Sequence, residues 1–391
     1  MNQKFFRERK HFPILEKKIF FDTPTFGIVA DYVWEATSKY NNERFHDHNR
    51  AINGEITYDM LERVRQIYAE MLNGEGSDIA FGLSASQLIP ILSNNLEFEK
   101  GDNVVIPDNG FVSTLFAFQA REPEGLEIKM AQTHNEAISA EELCSYADEH
   151  TKVIAVNHVE SRTGFRYDME KIGEFCKRNG IIFAVDAAQS AGAMMIDVKT
   201  MNIDFLVGTD YKWLCHYRGV GFAYVSKELR ERIPCKIAGW GSDSERFNVD
   251  KRHLTIHPDA RRYECGGFHN IGIYAVSLVI QHYLALGKED VQRYIFSLAD
   301  YCYEKAEKSK CIDIAYPYEP KNRSGIVVIK VPVSSDFTNA KMEQAGFGIA
   351  GIHKEKDNVT CEEFFTLRLG LHYFLNRDDI DKLFAEIESC Y

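Results

Sequence analysis

The chain has 391 residues, more than one compact core accommodates, so two packed domains are expected. An apolar share of 45% with 27% charged residues is that of a globular chain in water, and a formal net charge of -12 speaks against nucleic acid as a partner. Nine cysteines, an odd number with no CxxC pair, fit reduced cytoplasmic thiols better than a disulfide framework or a metal site. The opening MNQKFFRERKHFPILEKKIFF carries charges throughout, unlike a signal peptide, and no stretch reaches the ~20 apolar residues of a membrane span.

From Ser77 to Val225 short apolar runs alternate with helical patterns. DIAFG precedes SQLIPILSNNL, DNVVIPD precedes STLFAFQAR, KVIAVNHV precedes DMEKIGEFCKRNG, and IIFAVDAAQ leads on to FLVGTD and GVGFAYVSKEL. Strands alternating with helices predict βαβ crossovers and a mostly parallel sheet covered on both faces. FLVGTD and GVGFAYV read as neighbouring strands joined by a long turn.

From about Ile271 the texture changes. GIYAVSLVIQHYLALG and DVQRYIFSLADYCYEKAEK have the spacing of long amphipathic helices. SGIVVIKVPV and FFTLRLGLHYF read as strands, and RDDIDKLFAEIESC as a closing helix with an Asn or Asp at its N-cap. The expected organisation is an N-terminal segment 1–20, a large α/β domain 21–270 and a small α+β domain 271–391.

Four places carry candidate chemistry. Asp186 follows the wholly apolar IIFAV, placing it where a parallel strand ends and where open α/β sheets bind ligands. A carboxylate there could hold a pyridinium nitrogen, or simply cap the next helix. Lys212 follows FLVGTD between Tyr211 and Trp213, an apolar setting that favours a depressed pKa and Schiff-base chemistry. In GLSASQ, a strand, a turn of small residues and a helix start make an anion site without basic side chains, or an ordinary cap. Arg368, inside the apolar LRLGLHYF, needs an anionic partner.

HVESRTG, then VDAAQSAGA, then DFLVGTDYKWLCHYRGVGFAYVSKEL together resemble the core of the class V aminotransferase family of fold-type I pyridoxal 5'-phosphate (PLP) enzymes. That family includes cysteine desulfurases, kynureninase and isopenicillin-N-epimerase-like proteins. The resemblance runs from FFDTPTFG to LRLGLHYFLN. It implies a seven-stranded type of sheet, PLP held by Lys212 as a Schiff base, and a homodimer. Asp186 would pair with the pyridine nitrogen, Gln189 with the phenolic oxygen, and Ala85 and Ser86 with the phosphate. Phe111 would stack on the ring, Tyr211 would reach the phosphate, Ser161 would lie near the phenolic oxygen or substrate, and Arg368 would grip the substrate α-carboxylate. Gly267, in ECGGFHN, falls in the segment by which a partner chain completes the phosphate site. Thr25, Phe26, His46 and His48 are candidates for the entrance, although each also reads as an ordinary surface or loop residue.

The reaction is less constrained. Desulfurases deliver a cysteine upstream of the carboxylate arginine, but GIAGIHKEKDNVTCEEFF puts Lys354 nearest that place and Cys361 too close to Arg368. Kynureninase fits Phe111 and Tyr211 but has His where this chain has Gln189. The expectation is therefore an amino-acid enzyme, first an aminotransferase, with a lyase or epimerase as the alternative. A non-catalytic descendant would be expected to have lost Lys212 or Asp186, and a nicotinamide-binding protein to show a G-x-G-x-x-G turn after a strand, and no strand precedes one here.

Overall fold

The computed structural model describes residues 3–47, 58–245, 252–356 and 361–391. Seven strands build the main sheet: β2 (Ile79–Gly82), β3 (Asn103–Pro107), β4 (Glu127–Ala131), β5 (Thr151–Asn157), β6 (Ile182–Asp186), β7 (Phe205–Thr209) and β8 (Gly221–Val225). Their spatial order is β2-β8-β7-β6-β5-β3-β4. The run from β7 to β4 is parallel, and β8 alone runs against its neighbours β7 and β2. The expected pairing of FLVGTD with GVGFAYV is thus an antiparallel ladder joined through the turn that carries Lys212.

Every residue of β3, β6, β7 and β8 is buried, which explains their uninterrupted apolar runs: helices cover both faces of the sheet. One face packs on Leu88, Ile89, Leu92 and Phe118, the other on Ile172, Cys176, Leu214 and Tyr283. Helix Asn270–Leu286, where the sequence changes texture, packs against helices Tyr58–Leu72 and Asp31–His46, so no gap in packing falls there. No single helix among the described residues is long and apolar enough to cross a membrane.

A second, antiparallel sheet has the order β12-β13-β10-β9, with β9 at Asp313–Ile314, β10 at Ile326–Pro332, β12 at Ile352–Lys356 and β13 at Glu363–Gly370. The expected strand FFTLRLGLHYF ends at Gly370, and LHYF turns away buried against the core. The closing helix Arg377–Glu388 starts on the expected cap: Asn376 accepts from the Asp379 N–H, and Asp379 answers from the Asn376 N–H. Near the N-terminus, β1 (Ile19–Phe20) pairs in parallel with β11 (Phe347–Gly348). The chain then crosses from the small sheet to the mouth of the large one, through Phe21 to Gly27.

Candidate active site

The site lies at the carboxyl ends of β5, β6 and β7, where Asn157, Asp186 and Thr209 each close an apolar run. Asn157 and Asp186 are register partners. These three, with Ser84, Ala85, Ser86, Phe111, Val159, Ser161, Ala188, Gln189, Tyr211 and Lys212, line one cavity of about 80 Å³. Eight of the ten residues proposed from sequence therefore converge on one space. Asn157, Thr209 and Ser84 were missed, although a polar residue closing an apolar run was the signal already used for Asp186.

Lys212 is largely buried, its ammonium 5.8 Å from the Phe111 ring centre and 5.9 Å from that of Tyr211. Burial pulls its pKa below the usual lysine value, the Asp186 carboxylate pulls it back up, and Arg368 adds to the depression. Burial likewise pushes Asp186 above the usual carboxylate range, opposed by the Ala188 N–H at 2.8 Å and by Lys212. A depressed lysine facing a raised carboxylate is the pattern of a reactive amine beside an acid that awaits a cationic partner.

Gln189 is buried and fully oriented. Its Oε1 accepts from the Trp213 indole at 2.8 Å, and its Nε2 donates to the Pro24 carbonyl at 3.0 Å. The phosphate-type end of the cavity is the start of helix Ala85–Asn95, capped by Ser84, whose hydroxyl accepts from the Gln87 N–H. Ser86 there shares a hydrogen bond of 2.7 Å with Ser113.

Arg368 stands beside this cavity, in β13, and does have an anionic partner. It donates to the Ser161 carbonyl at 2.7 Å and to the Thr25 hydroxyl at 2.5 Å, with Asp22 3.6 Å away. Burial lowers its pKa and Asp22 opposes the shift. The sequence reading named Thr25 only as an entrance residue and did not see Asp22. The Phe26 and Tyr211 rings meet tilted by 42° with centres 5.7 Å apart, and the Arg218 guanidinium lies 4.1 Å from the Phe26 ring centre.

Gly27 lets this N-terminal segment dock: its N–H donates to the Tyr211 carbonyl at 2.8 Å, and a Cβ there would fall 2.0 Å from the Lys212 carbonyl oxygen. Only glycine permits that approach.

Gly267 does not line the cavity within this chain. It sits at φ +71 in a separate groove with Leu83, Gln87, Ile237 and Phe268, so any contribution it makes to a phosphate site must come through another subunit. His46 is exposed at the end of helix Asp31–His46, away from the Lys212 cavity, and His48 lies outside the described residues. Among the described residues no His, Cys, Asp and Glu group could hold a metal ion.

One buried acid behind the lysine turn has a measurable signature. Burial raises the Asp210 pKa to about 8, with the Tyr68 hydroxyl donating to it at 2.9 Å and its other oxygen unpartnered. A carboxyl raised on folding stabilises fully below its unfolded pKa and loses that contribution as pH rises towards 8. Asp210→Asn does not titrate. Its melting temperature relative to the parent is therefore expected to climb between about pH 4 and pH 8 and then level off. A pH-independent difference in thermal melts would mean that Asp210 stays ionised.

The comparisons with known proteins follow the same lines. The sequence profile described as Aminotransferase class-V matches residues 19–383. A probable cysteine desulfurase of Pyrococcus abyssi is 27% identical over 336 residues, covering 83% of this chain and 81% of its own. Among solved structures, the apo cysteine desulfurase of Thermococcus onnurineus NA1 superposes with a TM-score of 0.81 at 20% identity, covering 97% of this chain and 96% of its own. The cystine C–S lyase C-DES, solved with its product cysteine persulfide, superposes with a TM-score of 0.83 at 18% identity, covering 97% and 99%. With a profile match over nearly its whole length and the lysine, acid and glutamine of the motif gathered in one cavity, the chain belongs to the class V aminotransferase family of PLP-dependent enzymes.

Proposed function

We propose that this protein is a PLP-dependent lyase that breaks the bond between the β-carbon and sulfur of a cystine-type amino acid, working as a cytoplasmic homodimer. The observation that carries the reading is β12. The stretch in which a desulfurase would present its cysteine upstream of Arg368 is here the strand IHKEK, paired residue for residue with β13, and Lys354 in it is tied to Glu363 at 2.6 Å. A paired strand without cysteine has no thiol to deliver. Cys361 is exposed at the far end of that hairpin. A substrate that brings its own second sulfur needs no such thiol, and the similarity to C-DES and to desulfurases supports carbon–sulfur cleavage over transamination.

The residues present fit the cofactor. Two buried oxygens of the cavity wall, Asn157 Oδ1 and Thr209 Oγ1, have no partner among the described residues, as expected of a wall built for a polar occupant. Lys212 would hold PLP covalently, Asp186 its ring nitrogen, Gln189 its phenolic oxygen, Phe111 its face, and Ser84, Ser86 and the helix start its phosphate. When bound, it supplies the electron sink that stabilises a carbanion at the substrate α-carbon.

The chain does the rest. Arg368 orients the α-carboxylate through its planar fork, which requires Thr25 or Asp22 to yield one of its N–H groups. Lys212, its pKa lowered by burial, would serve as the base for the α-proton once the substrate amine has displaced it from the cofactor. As that proton moves to Lys212, the β-carbon–sulfur bond breaks and the sulfur leaves as a persulfide with the bonding electrons. The remaining three-carbon fragment hydrolyses to pyruvate and ammonia. Transamination shares the first step and differs in where Lys212 returns the proton.

The test is an assay of the PLP-loaded protein with cystine, with cysteine, and with alanine plus a keto acid. Pyruvate and persulfide from cystine are expected, at rates unchanged in Cys361→Ala. Amino transfer to the keto acid without pyruvate from cystine would replace the lyase reading by an aminotransferase. Sulfide from cysteine that vanishes in Cys361→Ala would make the protein a desulfurase. The free state of all nine cysteines and the groove around Gly267 are what support the cytoplasmic and dimeric parts, and sedimentation tests the latter.

A further inference from the structure

The geometry points to Trp213 as the positioning residue that fixes which end of the Gln189 amide faces the cofactor; this rests on the PLP reading above. Amide oxygen and nitrogen have the same shape, so only hydrogen-bond partners decide their placement. Trp213 offers an indole N–H and nothing else, and it meets Gln189 at 2.8 Å, so that end of the amide must be oxygen. The Pro24 carbonyl, which can only accept, meets the other end at 3.0 Å, so that end must be nitrogen. Both partners agree, and both contacts are buried. One N–H of Gln189 is left without a partner among the described residues, on a side chain that lines the cavity beside Asp186 and Lys212. The cavity therefore receives a donor.

Trp213 is itself held. His372 Nε2 lies 3.0 Å from the Trp213 carbonyl, an acceptor, so that nitrogen carries the hydrogen. The two rings stack at 5.8 Å with planes 17° apart, and both side chains are buried. A chain of three residues, His372 to Trp213 to Gln189, thus runs from the core to the cavity wall. A donor aimed at the phenolic oxygen of PLP stabilises negative charge there, which lowers the pH at which the bound cofactor loses its exchangeable proton. Loosening that donor raises it.

The experiment is a pH titration of the visible absorption of the PLP-loaded protein. Two replacements at position 213 remove the indole N–H: Trp213→Phe, and incorporation of β-(3-benzothienyl)alanine, which keeps the ring volume and puts sulfur in place of the N–H. Both are expected to move the spectral midpoint upward by about 0.5 to 1 pH unit, a partial loss of one hydrogen bond to a charged oxygen. Gln189→Met is expected to move it at least as far. Combining it with the Trp213 replacement should add nothing, because the tryptophan acts only through the amide. A midpoint unchanged in the benzothienyl protein, or a shift that adds to that of Gln189→Met, would overturn the assignment. A parent protein with no visible band after incubation with PLP would sink the cofactor reading instead.

Discussion

Lys212→Ala is expected to lower turnover at least about 10³-fold, because in the proposed mechanism one residue would serve both as the covalent anchor and as the base at the α-carbon. The structure gives the side chain no substitute: among the described residues no other lysine lines the cavity, and Arg368, the nearby cation, is tied to Asp22, Thr25 and the Ser161 carbonyl. PLP should still bind, since the acid, the amide and the helix start remain, but its visible band should resemble that of a free imine-less aldehyde. Lys212→Arg separates charge from chemistry. It restores a cation next to Asp186 and is expected to restore stability without activity. Steady-state rates and absorption spectra on the three proteins decide the matter, and a Lys212→Ala protein retaining a tenth of parental activity would remove the lysine from the mechanism.

The second large effect concerns the fold behind the site. Arg65 and Glu264 form a buried, two-pronged ion pair, at 2.6 and 2.8 Å, beneath the edge strand β2. Glu264 also accepts from the Phe81 N–H at 2.7 Å, and Arg65 donates to the Ile79 carbonyl at 2.8 Å, so the pair is stitched into the strand. Burial pushes the Glu264 carboxyl upward, and Arg65 with the Phe81 N–H pulls it back. Glu264→Ala would leave the buried Arg65 guanidinium only the Ile79 carbonyl and Glu62, 3.5 Å away, and would orphan the Phe81 N–H. A loss of about 3–5 kcal/mol of unfolding free energy is expected, the range for removing one partner of a buried pair. An apolar pair, Arg65→Met with Glu264→Leu, should lose less than Glu264→Ala alone. Denaturant unfolding followed by fluorescence measures both. A loss below about 1 kcal/mol for Glu264→Ala would show that water reaches Arg65 once the acid is gone.

The central sheet was legible in sequence because burial on both faces leaves runs such as NVVIP and FLVGT with no interruption. The same logic hid β4. Its EIKMA is an edge strand, exposed at Glu127 and only half-buried over its next three residues, so its composition never announces a strand. Lys212, Asp186 and Gln189 were legible because they stand in one stretch of motif. Asp22 beside Arg368, Pro24 against Gln189 and Tyr68 on Asp210 were not, because each pairs residues from distant parts of the chain. Those partners decide charge and orientation at the site, and only the folded chain brings them together. Gly267 is the sequence candidate that falls outside the Lys212 cavity, in the groove with Leu83 and Phe268.

The segment from Ile19 to Gly27 works as a strap between the two sheets. Its first residues are laced to β11 and Phe21 accepts from the Gly370 N–H; its last clips onto the Tyr211 carbonyl. Within the strap, Pro24 steadies Gln189 and its neighbour Thr25 holds Arg368. An arginine that moves to meet a carboxylate must tug Thr25, and the pull reaches the amide one peptide away. Pro24 and Thr25 share one peptide bond, so the orientation of the Gln189 amide and the reach of the Arg368 guanidinium hang on a single tether.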